Sequence, residues 1–148
     1  VTIDRYIEGM SCIGISSYDA QYEVVEHFIK EHGADEIYYV RGPIENNEAI
    51  RRYEAYCDVL QKYDIPYQED HVFQGWFTNE SGRKAVKYFL KSGKCPRYII
   101  CANDSMAMGA YEVLTQKGYR VPEDVAIAGF DKDWTSVYGE QTIADFAR

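Results

Sequence analysis

Excess positive charge, paired cysteines and long apolar runs are all missing from this 148-residue chain, and each absence closes a class of function. Lys and Arg number 16 against 24 Asp and Glu, for a formal net charge of −8. Gripping nucleic acid needs clustered positive charge against phosphate, and docking on anionic lipid needs the same. This segment is fitted for neither. No apolar run approaches the roughly 18–20 residues of a membrane-crossing helix. The opening VTIDRYIEGM carries an acid early and has no apolar stretch behind it, so it does not read as a signal peptide.

The four cysteines, Cys12, Cys57, Cys95 and Cys101, include no C-x-x-C pair. Three sit in apolar stretches (CIGI, AYCDVL, YIICA) and are expected to be reduced, buried thiols, which suits a cytoplasmic protein. They lack the spacing and His partners of a zinc site. His27, His32 and His71 read as ordinary core or surface imidazoles. A G-x-G-x-x-G after a strand, a P-loop and H-E-x-x-H are all absent. The run Gly14-Ile15-Ser16-Ser17-Tyr18 is not a nucleophile elbow. The expectation is a protein that is not an enzyme and holds neither metal nor cofactor.

Present instead is a regular alternation of short apolar strands and amphipathic helices. Ser11–Ser16 reads as a strand. Ser17–His32 reads as a helix with Val24, Val25, Phe28 and Ile29 on one face, and Gly33 stands where a helix C′ residue belongs. Ile37–Val40 is the next strand, and Arg41-Gly42-Pro43 turns the chain. Asn46 or Asn47 can cap a helix bearing Ile50, Tyr53, Tyr56, Cys57 and Leu60, which Ile65-Pro66 stops. His71–Gln74 is a weaker strand, and Thr78 can cap a helix through Ala85, Val86, Phe89 and Leu90 that ends at Gly93. Tyr98–Ala102 is strongly apolar, and Asn103 or Asp104 caps a helix carrying Met106, Ala110, Val113 and Leu114 as far as Gly118. Val125–Ala128 is the last clear strand. Such alternation predicts βαβ units and a mostly parallel sheet. Strands that are apolar without alternation predict helices over both faces. The fold class is therefore α/β, a three-layer α/β/α sandwich. Both ends of the chain are apolar and strand-like where linkers are usually polar, so the segment is expected to be a piece of a longer protein.

In open parallel sheets, ligands bind beyond the carboxyl ends of the strands. The residues there include Ser16, Ser17 and Asp19; Glu45, Asn46, Arg51 and Arg52; Trp76, Phe77, Thr78 and Asn79; Asn103, Asp104 and Ser105; and Asp131, Lys132, Asp133 and Trp134. Amides, carboxylates, an arginine fork and aromatic faces together suit a polyhydroxylated ligand. Simpler readings stand beside this one: Asn103 or Asp104 as a helix cap, Asp131 as a turn residue, Arg52 as a solvated charge. Trp76 and Phe77 are neighbours that point opposite ways in a strand end, so one of them at most lines a site.

The run from Tyr98 to Asp131, YIICANDSMAMGAYEVLTQKGYRVPEDVAIAGFD, resembles the effector-binding domain of the lactose-repressor (LacI/GalR) family of bacterial transcription regulators. The match rests on Ala102-Asn103-Asp104 with Met106, Ala107 and Gly109, on Val121-Pro122-Glu123-Asp124-Val125, and on Gly129-Phe130-Asp131. Upstream, Val1–Asp4, Glu26-His27-Phe28, Gly42-Pro43, Arg52 with Tyr56, and Glu80-Ser81-Gly82 follow in order, so the resemblance covers nearly the whole chain. Ala55 stands where Gly is usual after the arginine, and Ser16 where an acid often ends the strand.

The resemblance implies one lobe, the C-terminal subdomain, of a two-lobed type I periplasmic-binding-protein-like domain. Residues 1–5 and 141–148 would be crossovers toward the other lobe. It implies a small effector, carbohydrate in character, held by Asp4, Arg52, Asn103 and Asp131, with Phe77 or Trp76 as the stacking ring. It also implies a homodimer in the complete protein and contact with DNA only through an upstream domain outside this segment. The alternatives are a periplasmic or surface sugar-binding protein and a sensor module fused to a signalling output.

Overall fold

The computed structural model describes residues 17–130 and the backbone of 137–138. Four helices and five strands follow one another: α1 (Ser17–His32), β1 (Tyr38–Arg41), α2 (Asn47–Lys62), β2 (Val72–Gln74), α3 (Asn79–Leu90), β3 (Tyr98–Cys101), α4 (Asp104–Gln116), β4 (Ala126–Ala128) and β5 (Val137–Tyr138). The strand expected at Ser11–Ser16 lies outside the described residues.

The caps fall where the short polar side chains offer them. Asn46 accepts from Ala49 N, Thr78 from Ser81 N and Asn103 from Met106 N, each satisfying a backbone donor of the first turn that has no partner within its helix. Gly33 and Gly118 follow α1 and α4 with φ of 68° and 93°, the left-handed conformation that a side chain disfavours. The strand expected from His71 begins one residue later. His71 N donates to Gln68 O at 3.0 Å and closes a single 3-10 turn over Glu69–His71. The imidazole is buried against the Tyr38 ring, with centroids 4.0 Å apart.

The sheet order is β2-β1-β3-β4-β5. The first three pairings are parallel, and β5 adds an antiparallel edge to β4. Tyr38 and Tyr39 show the two covered faces. Tyr38 packs on Phe89 of α3, whereas Tyr39 stacks on Tyr56 of α2, with centroids 4.6 Å apart. α1 pairs with α2, and α3 with α4. The layers are α/β/α, and Ile99, Ile100, Cys101, Ile127 and Ala128 in the middle strands are fully buried. Burial on both faces explains why these strands read as unbroken apolar runs. Among the described residues, no helix is long and apolar enough to cross a membrane.

Candidate functional site

Parallel strands bring their carboxyl ends to one edge of the sheet, and that edge gathers the predicted side chains. β1 ends at Arg41, whose carbonyl accepts from Gly75 N at 2.7 Å, so the ends of β1 and β2 are tied together. Trp76 and Phe77 follow directly. Trp76 is 61% exposed, while Phe77 is half-buried with φ at 67°. A bulky residue in the left-handed region costs roughly 1–2 kcal/mol, so its surroundings must hold it there. Two contacts do so. Asn103 Nδ2 donates to Phe77 O at 3.0 Å. The buried Ser81 hydroxyl accepts from Trp76 N at 3.1 Å and donates to Thr78 O at 2.9 Å. The ring covers Gly42, where a Cβ would lie 2.6 Å from Phe77 Cε1 and 2.8 Å from Ala49 Cβ. Gly42 is thus the residue that lets Phe77 lie flat over the end of β1.

Arg52 approaches from α2. One terminal nitrogen, Nη1, donates to Ala102 O at 2.7 Å, just past β3. Its guanidinium carbon lies 4.0 Å from the Phe130 centroid and 5.8 Å from that of Phe77. Burial presses the guanidinium below its ordinary value, partly offset by Tyr39 and Glu48. It remains a cation, as arginine does in proteins. Arg52 is therefore wedged between the ends of β3 and β4, not a solvated helix charge.

Asn103 performs two structural tasks at once. Its Oδ1 accepts from Met106 N at 3.1 Å as the α4 cap, and its amide holds the Phe77 carbonyl. The simpler expectation for this residue, a helix cap, is what the structure shows, with the amide nitrogen engaged by the Phe77 loop as well. Arg52, Phe77 and Asn103 come together, and Trp76 stands beside them in solvent. Asp4 and Asp131 lie outside the described residues. Of the other rim residues, Asn79 accepts from Arg83 at 2.8 Å, and Glu45, Asn46, Arg51 and Ser105 are exposed.

Two side chains missing from the sequence-based set belong here: Phe130, the platform under Arg52, and Arg41, which the turn signal Gly42-Pro43 had assigned to a bend. The available signal was position, since Arg41 is the first residue after the apolar run Ile37–Val40. Cys57 and Cys95 are half-buried and Cys101 fully buried, all as free thiols. Burial raises all three, which keeps them protonated and unreactive. Cys12 lies outside the described residues. Among the described residues, no group of three His, Cys, Asp or Glu is placed to hold a metal.

A layered α/β domain with a polar and aromatic cluster at one sheet edge defines a class, and comparison with known proteins makes it specific. Residues 25–143 match the family described as periplasmic binding protein-like domain, and the chain belongs to that family. It is 35% identical over 115 residues to the HTH-type transcriptional repressor PurR of Haemophilus influenzae, covering 78% of this chain and 34% of the repressor. A sugar-binding transcriptional regulator of the LacI family from Escherichia coli, solved with phosphate, superposes with a TM-score of 0.67 at 31% identity. That match covers 78% of this chain and 40% of the solved one. The transcriptional regulator CelR, solved with cellobiose, gives 0.73 at 30% identity over 79% of this chain and 36% of its own. The chain thus spans about two fifths or less of these relatives.

Proposed function

We propose that this chain is the C-terminal lobe of the effector-sensing domain of a bacterial transcription regulator of the lactose-repressor type. The observation that carries this is the Asn103–Phe77–Arg52 cluster. A strained aromatic and a wedged guanidinium are held in place at the one sheet edge where such folds take ligands. Relatives solved with cellobiose, or described as sugar-binding, support a carbohydrate-like effector. Phe77 offers its ring to the C–H face of a sugar, with Trp76 as the competing choice. Asp4 and Asp131 would complete the hydroxyl contacts.

Effector binding would close this lobe on its counterpart and shift the population of a signalling state. DNA would be met only by an upstream helix-turn-helix, in a dimeric, cytoplasmic protein. The output is regulation, not catalysis.

A thermal-shift screen of the complete protein against a carbohydrate panel identifies the effector. In Asn103→Ser the hydroxyl can still cap α4, but the amide on Phe77 is gone. Effector affinity is expected to fall more than tenfold, about 1.4 kcal/mol, with the fold intact. Unchanged affinity in that variant, or a panel that shifts nothing, overturns this reading.

A further inference from the structure

We propose that the effector is an anion, a sugar acid or sugar phosphate whose charged group is taken by Arg52 together with Arg41. This rests on the sensor reading above. Three arginines are half-buried among the described residues: Arg41, Arg52 and Arg83. Arg83 is neutralised, since it pairs with Glu112 and also donates to Asn79. The lysines 62, 84 and 94 and the exposed Arg120 each have an acid partner as well. Arg41 and Arg52 have no acid within ion-pair distance among the described residues, although Glu48 acts on Arg52 from one turn away; Arg51 and Arg97, which also lack one, stand exposed to solvent.

Both stand instead on aromatic faces. The Arg41 guanidinium carbon lies 3.6 Å from the Tyr53 centroid, and that of Arg52 lies 4.0 Å from the Phe130 centroid. The Nε of each is buried without a hydrogen-bond acceptor. Stacking satisfies the face of a guanidinium, and among the in-plane donors of the pair only Arg52 Nη1 has an acceptor among the described residues, the Ala102 carbonyl. A half-buried cation with an unpartnered buried Nε favours an anion, and a carboxylate or phosphate matches the guanidinium fork.

Placement brings the two together. Arg41 closes β1 beside the Gly42 that carries the Phe77 ring, and both guanidiniums lie near enough to the buried Tyr39 hydroxyl to act on it. Neutral hydroxyls would be served by the amide and carboxylates of the site. Two half-buried cations with no ion-pair partner among the described residues point to a ligand that brings its own negative charge.

The test is calorimetric titration of the complete protein with matched probes at low and high NaCl. The probes are glucuronate, glucose 6-phosphate and glucose, then galacturonate, galactose 6-phosphate and galactose. A charged probe is expected to bind at least tenfold more tightly than its neutral counterpart, with the advantage shrinking in high salt. Arg41→Gln should erase most of that advantage and Arg41→Lys should keep part of it, with both variants retaining the parent's unfolding midpoint. Preference for the acid or for the phosphate tells which group the fork takes. Neutral sugars binding as tightly as charged ones overturn the proposal and leave the sensor reading standing. An Arg41→Gln variant with the full charge preference removes Arg41 from it. No binding by any probe, with a carbohydrate panel that also shifts nothing, overturns both.

Discussion

Along the seam between α1 and α2 the contacts are polar. Ser17 bonds Glu48, the Tyr18 hydroxyl donates to Asp58 at 2.5 Å, and Lys62 and Tyr63 both donate to Glu26 at 2.7 Å. Under that seam lie buried hydroxyls: Tyr56 donates to Ile37 O at 2.6 Å, and Tyr39 to Gln21 at 3.2 Å. On the other face of the sheet, α3 and α4 meet through missing side chains. A Cβ on Gly82 would fall on the Met106 carbonyl, and one on Gly109 on the Asn79 carbonyl, far inside van der Waals contact. One layer is specified by hydrogen bonds that tolerate adjustment, and the other by backbone proximity that does not. The second layer also positions two of the three site residues, because α3 begins just after Phe77 and α4 is capped by Asn103, while Arg52 reaches the site from α2. Rigidity is placed where Phe77 and Asn103 must keep their positions.

The largest effect expected from this contrast follows from adding one methyl group to the tight seam. Gly82→Ala forces the two helices apart, since the obstacle is backbone and not the free end of a side chain. Helix propensity favours Ala over Gly by about 1 kcal/mol. The clash is expected to reverse that sign and cost about 3 kcal/mol net. Urea unfolding of parent and variant measures it. A stabilised Gly82→Ala would show that the seam yields and that the two layers do not differ as described.

A smaller effect is expected under the polar seam. Tyr56→Phe keeps the stack on Tyr39 and removes only the hydroxyl that serves the buried Ile37 carbonyl. Leaving that acceptor unanswered should cost about 1–2 kcal/mol. A loss below 0.5 kcal/mol, roughly the scatter of neutral surface changes, would mean the hydroxyl does not specify this layer.

Much of this architecture was legible in the sequence because local rules and tertiary packing agree. Thr78 caps the helix it was expected to cap, Asn46 and Asn103 are the ones of their candidate pairs that do so, and α1 spans the residues its apolar face outlined. β2 is shorter than expected because a 3-10 turn takes up His71, a hydrogen-bond choice that strand propensity does not encode. The antiparallel β5 was not anticipated, since its two residues are too few for a periodic signal. At the site, the resemblance and the rim argument both led to Arg52, Phe77 and Asn103. Neither indicated that Asn103 acts through the Phe77 carbonyl, or that Arg52 rests on Phe130. Those are long-range contacts, and sequence spacing carries no trace of them.

The smallest effect separates the layers by pH. Lys62, and then Tyr63, hold the Glu26 carboxyl below its ordinary value of 4.5. The unfolded chain recovers that value, so the folded state binds the proton more weakly. The stabilisation is present above the unfolded value and is lost as pH falls through the lowered folded one. Tyr18 runs the other way. Its hydrogen bond to Asp58, aided by partial burial, pushes the phenol up to about 12 from 10.0. That contribution is present below the unfolded value and is lost as pH rises through the folded one. Because Lys62 is exposed to solvent, Lys62→Met should lower the urea midpoint at neutral pH less than either substitution above. Glu26→Gln should flatten part of the decline in urea midpoint between about pH 6 and pH 3. Gly82→Ala involves no titrating group and should lower the midpoint by the same amount at each of those values. If Glu26→Gln leaves the acid slope unchanged while Gly82→Ala alters it, the assignment of charge to one seam and steric fit to the other is reversed.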